Sequence, residues 1–369
     1  MFMNISMNKG VISRGISAPM IKEGDDLVRI VVDSVINEVK NTTVTHIPYY
    51  IEGVRAFRTE EHMSYDINDK DIIGITESVI ARAAGQYISV DDIAADIEKK
   101  FGKDATIAVS CPIYSRNRFS MILKGIARAA KKILFVMPEY DEVGNPKGVN
   151  PFTGVDIEKY YKEICEQENC ECTFNEEWGG KTYALLDCSL RPTKREKPTE
   201  QVFYRLDEIC SDVSPDWGLL GTNKSTEERL KLFPSKEVAQ KVCDEVKAQI
   251  KSITGKDVIV CSYGDGCFKD PVGGIWEFAD PVTMPAYTDK ELIESTPNEI
   301  KLKAFIDDGT SEEEINKLIK EKKNLVGSMT SQGTTPRLYR DLLASLMDLT
   351  SGSGDRATPI VLIQNYFRD

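Results

Sequence analysis

Val258–Pro281 reads VIVCSYGDGCFKDPVGGIWEFADP, an apolar run that breaks into glycines and acids. Val258-Ile259-Val260-Cys261 has the composition of a buried strand, because β-branched side chains fit a pleated sheet covered on both faces. The run ends in Gly264-Asp265-Gly266, and Lys269, Asp270, Gly273, Gly274 and Glu277 follow closely. Glycines let a ligand approach the backbone, and carboxylates are hard oxygen donors. A strand end of this kind suits a metal-bound phosphate, with Asp265, Asp270 and Glu277 as the candidate metal ligands. The same residues also make an ordinary tight hairpin with solvated acids, since Asp-Gly is a common turn pair.

Upstream, Ser235–Ile253 is amphipathic at helical period, capped by Ser235 and stopped by Gly255. Asp25-Asp26 opens a helix over Leu27–Val39, its acids placed at the positive end of the helix. A hairpin or loop region is expected up to Met63. Strands are expected at Asp71–Thr76 (DIIGIT), Thr106–Cys111, Ile133–Met137 and Pro359–Ile363, and Glu77–Gly85 reads as a polar, small-residue crossover. Further helices are predicted at Val90–Phe101, Arg118–Lys131, Asp156–Gln167, Glu312–Lys323 and Arg337–Leu349. Helices and strands mix without strict alternation, which predicts an α+β (mixed α/β) fold. Three segments are expected: 1–137, an N-terminal α/β part; 138–220, an insertion or substrate subdomain rich in Pro/Gly loops; and 221–369, carrying the acidic turn and a Gly/Ser loop.

The net charge of −12 offers no general attraction to nucleic acid or an anionic membrane. No apolar run is long enough for a membrane span, and the opening MFMNISMNKGVISRG lacks a signal-type apolar stretch, so a cytoplasmic protein is expected. The 9 cysteines then fit reduced thiols. Cys165, Cys170 and Cys172 cluster, but no second Cys/His pair stands at zinc-finger spacing. With only 2 histidines, chemistry falls to carboxylates, lysines and metal ions.

Three further segments suit a phosphate-bearing ligand. Arg14–Met20 (Gly15, Ile16 and Pro19 among them) offers backbone amides, or is a structural turn. Thr76-Glu77-Ser78 with Arg82 offers hydroxyls and a fixed cation at a strand end, or is a capping turn. Ser351-Gly352-Ser353-Gly354-Asp355 is open enough to wrap a phosphate or base, or is a flexible link. There is no GxxxxGK[ST] loop and no GxGxxG opening a helix, so a nucleotide site here is of another design.

These blocks together resemble the coenzyme F420:gamma-glutamyl ligases. Gly15–Leu27 (GISAPMIKEGDDL) is similar to that family's glycine-proline opening and GDDL. Asp71–Gln86 (DIIGITESVIARAAGQ) is similar to its strand and turn, with Arg82 where the family has lysine. Leu230–Pro234 with Val258–Asp270 resembles the block ending in a metal-binding Asp-Thr turn, and Asp341–Ile363 the C-terminal helix, loop and strand. Three departures stand out. Asp265-Gly266 replaces Asp-Thr; Asn223 precedes Leu230 without the family's aspartate, Asp216 being the nearest; and 138–220 exceeds the family core.

The resemblance implies interlaced mixed sheets with flanking helices, a homodimer, and a ligase that uses GTP or ATP with Mg2+ or Mn2+. Such an enzyme joins L-glutamate, or a similar amino acid, to F420-0 or another carboxylate acceptor through an acyl phosphate. It places Asp265, Asp270 and, less centrally, Glu277 on the metal, and Lys269 and Arg82 on the transferring phosphoryl group. Thr76, Glu77 and Asn223, Gly15, Ile16 and Pro19, and Ser351 to Gly354 then face the nucleotide. A non-catalytic nucleotide- or metabolite-binding relative is the alternative, and 138–220 as a protein-interaction module is a third reading.

Overall fold

The computed structural model describes residues 10–40, 43–51, 54–62, 64–110, 114, 118–141, 146–151, 154–175, 183–188, 201–265, 282–296, 307–314, 317, 337–351 and 358–367. The fold is α+β. The chain divides into two compact units, one of residues 1–18, 31–75 and 243–369, the other of residues 19–30 and 76–242.

The first unit is built on a five-stranded sheet ordered β1 (Ile12–Ile16), β15 (Ile360–Gln364), β4 (Ile72–Thr76), β13 (Ile259–Asp265), β14 (Val282–Thr283). Every residue of β15 is buried, as a central strand covered on both faces requires. It runs antiparallel to β1 and to β4, with Ile16 opposite Ile360 and Ile360 opposite Ile75. The Ile259 amide donates to the Asp71 carbonyl and the Lys70 amide to the Asp257 carbonyl, both at 2.9 Å, so β4 and β13 start at one end of the sheet. The ends of β1, β4 and β13 and the start of β15 therefore share the opposite edge. Helix α7 (Tyr339–Ser351) lays Leu343, Ala344 and Met347 into the core with Ile72, Cys261 and Val361. Gly74 permits that approach, because a Cβ there would overlap Met347 Sδ. A separate ribbon pairs β2 (Thr43–Ile51) with β3 (Val54–His62), Ile51 opposite Val54.

The second unit holds a five-stranded sheet ordered β10 (Phe203–Arg205), β9 (Ala184–Asp187), β6 (Ala105–Ser110), β7 (Ala130–Val136), β8 (Glu171–Phe174). All of its neighbouring pairs are parallel. Parallel strands need crossovers, supplied by α4 (Arg118–Ala129) after β6 and α5 (Ile157–Gln167) after β7. Ile107, Val109, Ile133, Phe135 and Leu186 meet Ile122, Ile126 and Tyr161 in one core. Each such side chain contributes ~1.5–3 kcal/mol by leaving water. Phe135 stacks on Phe174 with centroids 4.9 Å apart. Helix α3 (Val90–Phe101) begins in a capping box: the Asp92 amide donates to Ser89 Oγ at 3.1 Å and the Ser89 amide to Asp92 Oδ2 at 2.9 Å. A smaller antiparallel sheet is ordered β11 (Thr222–Lys224), β12 (Arg229–Leu232), β5 (Tyr87–Ser89).

The expected strands at DIIGIT and before Gly264, and the long helix before them, are β4, β13 and α6 (Lys236–Thr254). Glu77–Gly85, read as a crossover, contains a short helix, α2 (Glu77–Ala83). Thr76 in extended conformation ends β4 and occupies the N-cap position of α2, without a side-chain cap hydrogen bond, so α2 follows the strand with no intervening loop. Of the expected helix Glu312–Lys323, only 312–314 and 317 are among the described residues, and these are helical. Among the described residues no helix is long and apolar enough to cross a membrane.

Candidate functional site

In the first unit, three of the sequence-predicted segments come to one sheet edge. Gly15 lies against Thr358, so that a Cβ would stand 3.0 Å from Thr358 Cβ and Oγ1. Thr358 Oγ1 donates to the Ser351 carbonyl at 2.9 Å, which ties together the two ends of the Gly/Ser loop. Ser13 Oγ and Thr350 Oγ1 are hydrogen-bonded at 2.7 Å, fastening β1 to the end of α7. Buried Tyr263, on β13 two residues before Asp265, has Ser351 near its hydroxyl, which makes no hydrogen bond among the described residues. Burial pushes that phenol well above its ordinary pKa, and the Ser351 hydroxyl offsets part of the shift.

β13 and β14 pair antiparallel, with Gly264 opposite Thr283 and Asp265 opposite Val282. The acidic segment between them therefore leaves and rejoins the sheet at that edge. Ile16 is buried, so only its backbone can serve a ligand, while Pro19 is exposed. Lys269, Asp270, Glu277, Gly352, Ser353 and Gly354 lie outside the described residues, as does the Asp265 side chain. Among the described residues no group of three or more His, Cys, Asp or Glu side chains is set to hold a metal ion.

In the second unit, α2 begins directly after Thr76, and its first residues form a buried polar cluster. Glu77 and Lys231 are 3% and 7% exposed, and Lys231 Nζ stands 3.7 Å from Glu77 Oε1. The Lys231 ammonium also donates to Ser78 Oγ. Lys231 lies on β12 directly opposite Asn223 on one side and Tyr87 on the other. Cross-strand partners project on one face, so Asn223, Lys231 and Tyr87 form a row in register. Arg229, next on that face, stacks its guanidinium 3.8 Å from the Tyr87 ring centroid. A desolvated ammonium beside hydroxyl and amide groups is a suitable point charge for phosphate or carboxylate oxygens. Arg82 sits in the last turn of α2 and is exposed, so the buried cation of this cluster is Lys231.

Sequence reasoning missed Lys231. Its one local signal is a lysine enclosed by Leu230 and Leu232 in a run ending at Phe233-Pro234. Asp216, weighed as a stand-in for the family aspartate, accepts the Lys236 amide at 2.8 Å and so caps α6. The parallel sheet adds a polar pair. Ser110 and Asp187, at the carboxyl ends of β6 and β9, are opposite in register, and Ser110 Oγ donates to Asp187 Oδ1 at 2.9 Å. Counted along the chain, the five strands stand in the order fifth, fourth, first, second, third. The order reverses between β6 and β9, the position where open parallel sheets form ligand crevices.

An α+β chain with a glycine-closed sheet edge and a buried lysine–glutamate pair at a strand-to-helix join defines the architectural class. Residues 15–365 match the family described as F420-0:Gamma-glutamyl ligase, and the chain belongs to that family. No curated protein matches this chain.

Proposed function

We propose that this protein is a nucleotide-dependent acid–amino-acid ligase. It transfers the γ-phosphoryl group of GTP or ATP to a substrate carboxylate. The amine of L-glutamate, or a similar amino acid, then attacks the acyl phosphate and expels phosphate, leaving a gamma-glutamyl-type amide. F420-0 is the acceptor the family description names; another carboxylate acceptor is compatible with the extended second unit. The observation that carries the reading is the family match across nearly the whole chain.

Asp265 and Asp270, with Glu277, are the residues we assign to a divalent cation, Mg2+ or Mn2+, which neutralises phosphate charge during transfer. Support comes from the pairing of Asp265 on β13 with Val282 on β14, which flank the acidic segment. Gly15, Ile16 and Pro19, together with Ser351 and Gly352-Ser353-Gly354, are assigned to the nucleotide. The tie between Ser351 and Thr358 beside Gly15 supports this. Thr76, Glu77, Asn223 and Arg82 are assigned to the lining of the nucleotide side, where Arg82 offers a cation to phosphate, with Lys269 on the transferring group. Lys231 is assigned, with Asn223 opposite it, as a buried cation for an anionic group. The carboxyl edge at Ser110 and Asp187 is assigned to hydroxyl or amine groups of the acceptor, which a carboxylate and a hydroxyl both accept. The working form is a cytoplasmic homodimer.

Incubation with GTP or ATP, Mg2+ or Mn2+, L-glutamate and a panel of acids including F420-0 tests the proposal. Nucleotide-dependent phosphate release that requires both acid and amine is expected, and no release with any pair contradicts it. The engagement of Asp216 as a helix cap favours a second reading, a non-catalytic relative that binds nucleotide. Calorimetry showing nucleotide binding without turnover selects that reading.

A further inference from the structure

The end of α5 brings together three thiols that the ligase reading leaves unused. The helix closes in a Schellman motif. Asn169 has φ 58°, its amide donates to the Glu166 carbonyl at 3.1 Å, and the Cys170 amide reaches back to the Cys165 carbonyl at 2.9 Å. That motif brings the side chains at its two outer positions together, here Cys165 and Cys170. Cys172 follows two residues later on β8, so it projects on the same side of the extended chain as Cys170. The Cys165 thiol neighbours both other sulfurs. Cys165 is 0% and Cys170 5% exposed, whereas Cys172 is partly open to solvent. All three are free thiols. Among the described residues no three-ligand group, this one included, is set to hold a metal ion.

We infer that Cys165 and Cys172 form a peroxide-reactive thiol pair, in which Cys172 reacts first and Cys165 closes a disulfide between the end of α5 and the edge strand β8. Contact with the Cys165 thiol holds Cys172 below its ordinary pKa, Lys162 acts the same way, and burial and Glu166 oppose them. Cys165 is held above its ordinary value by its contacts with Cys170 and Cys172, with burial adding to the effect. The nucleophile is therefore the accessible sulfur with the greater thiolate character, and the buried thiol resolves. The Cys172 thiolate attacks one oxygen of a hydroperoxide. The O–O bond breaks, an S–OH group forms, and the other oxygen leaves as alkoxide or hydroxide that takes up a proton. The Cys165 sulfur then attacks the Cys172 sulfur, the S–S bond forms, and the hydroxyl leaves as water with the Cys165 proton. Two thiols supply the two electrons that reduce one O–O bond.

The test treats the full folded chain with hydrogen peroxide, blocks remaining thiols by alkylation, and cleaves after glutamate. Glu163, Glu166, Glu168 and Glu171 place each cysteine of the cluster on its own peptide. A linked pair, Ile164–Glu166 with Cys172–Glu176, is expected in the wild type and in Cys170→Ser, and is absent from Cys172→Ser. In Cys165→Ser, Cys172 is expected to stop at the sulfenic acid, trapped by dimedone. Complete alkylation of all three thiols after peroxide, or a linkage confined to Cys170, overturns the inference. Circular dichroism of each variant confirms that the fold survives, so that a lost linkage reports chemistry.

Discussion

Replacing Lys231 by methionine keeps the length of the side chain and removes its charge from beside Glu77. The pair stands 3.7 Å apart with side chains 9% and 3% exposed. At an effective dielectric constant of about 20, that separation corresponds to roughly 4 kcal/mol of attraction. In the native protein much of this offsets the cost of taking both groups out of water. The variant keeps the desolvation cost of Glu77 and loses the attraction, and Ser78 loses its donor. A destabilisation of about 3 kcal/mol is expected, a little over two powers of ten in the folding constant. Urea unfolding at neutral pH, followed by circular dichroism, reads the loss as a lower midpoint. In the double variant Glu77→Leu with Lys231→Met, the combined cost is expected to fall at least about 1 kcal/mol short of the sum of the single costs. A cost below about 0.5 kcal/mol for Lys231→Met, or strictly additive losses, refutes the buried-pair reasoning.

Other perturbations test separate parts of the account. Ser89→Ala removes the α3 cap and is expected to cost about 1 kcal/mol at neutral pH. The Ser89 hydroxyl, with its amide, holds the Asp92 carboxyl below the ordinary range. A folded-state pKa lowered in this way stabilises above the ordinary carboxylate value and is lost as pH falls through the lowered one. The gap between wild type and Ser89→Ala, read by thermal melts across pH, should therefore narrow on acidification. Gly74→Ala presses a methyl group onto Met347 and should cost about 1–3 kcal/mol by the same melts; a neutral result contradicts the close approach of α7. Asp187→Asn is expected to raise the KM for the acceptor several-fold with little change in the KM for nucleotide, and equal effects on both would remove the acceptor from the β6–β9 edge.

The elements read correctly from sequence were those with one dominant signal. Asp71–Thr76 is continuously apolar between polar ends, and it is buried for its whole length except its last residue. Ser235–Ile253 carries a cap, a helical period and a stopping glycine, and the helix ends within one residue of that range. The parallel sheet was only half legible. β6 and β7 are apolar runs, but β8 is ECTF and β10 is FYR, short edge strands whose composition reads as loop. Lys231 was hidden by strand alternation. Leu230 and Leu232 point to one face, and alternation alone puts Lys231 and Arg229 on the other without saying what covers it. Arg229 is exposed, whereas Lys231 is covered where α2 meets β12, a contact between segments far apart in the chain. Arg82, the cation expected there, follows Thr76-Glu77-Ser78 closely in sequence and stands where the resembled family has lysine. Nearness on a helix does not set which face a side chain takes, and this one faces solvent.

On the proposed function, this chain uses a nucleotide to join an amino acid to an acid. Mass spectrometry of the acceptor after incubation with GTP or ATP, divalent cation and L-glutamate tests it most directly. A product heavier by one glutamyl residue, formed by the wild type and lost in Asp265→Asn and Asp270→Asn variants that remain folded, is the predicted result. Unchanged acceptor with every acid tried, or full product from both aspartate variants, would contradict the account.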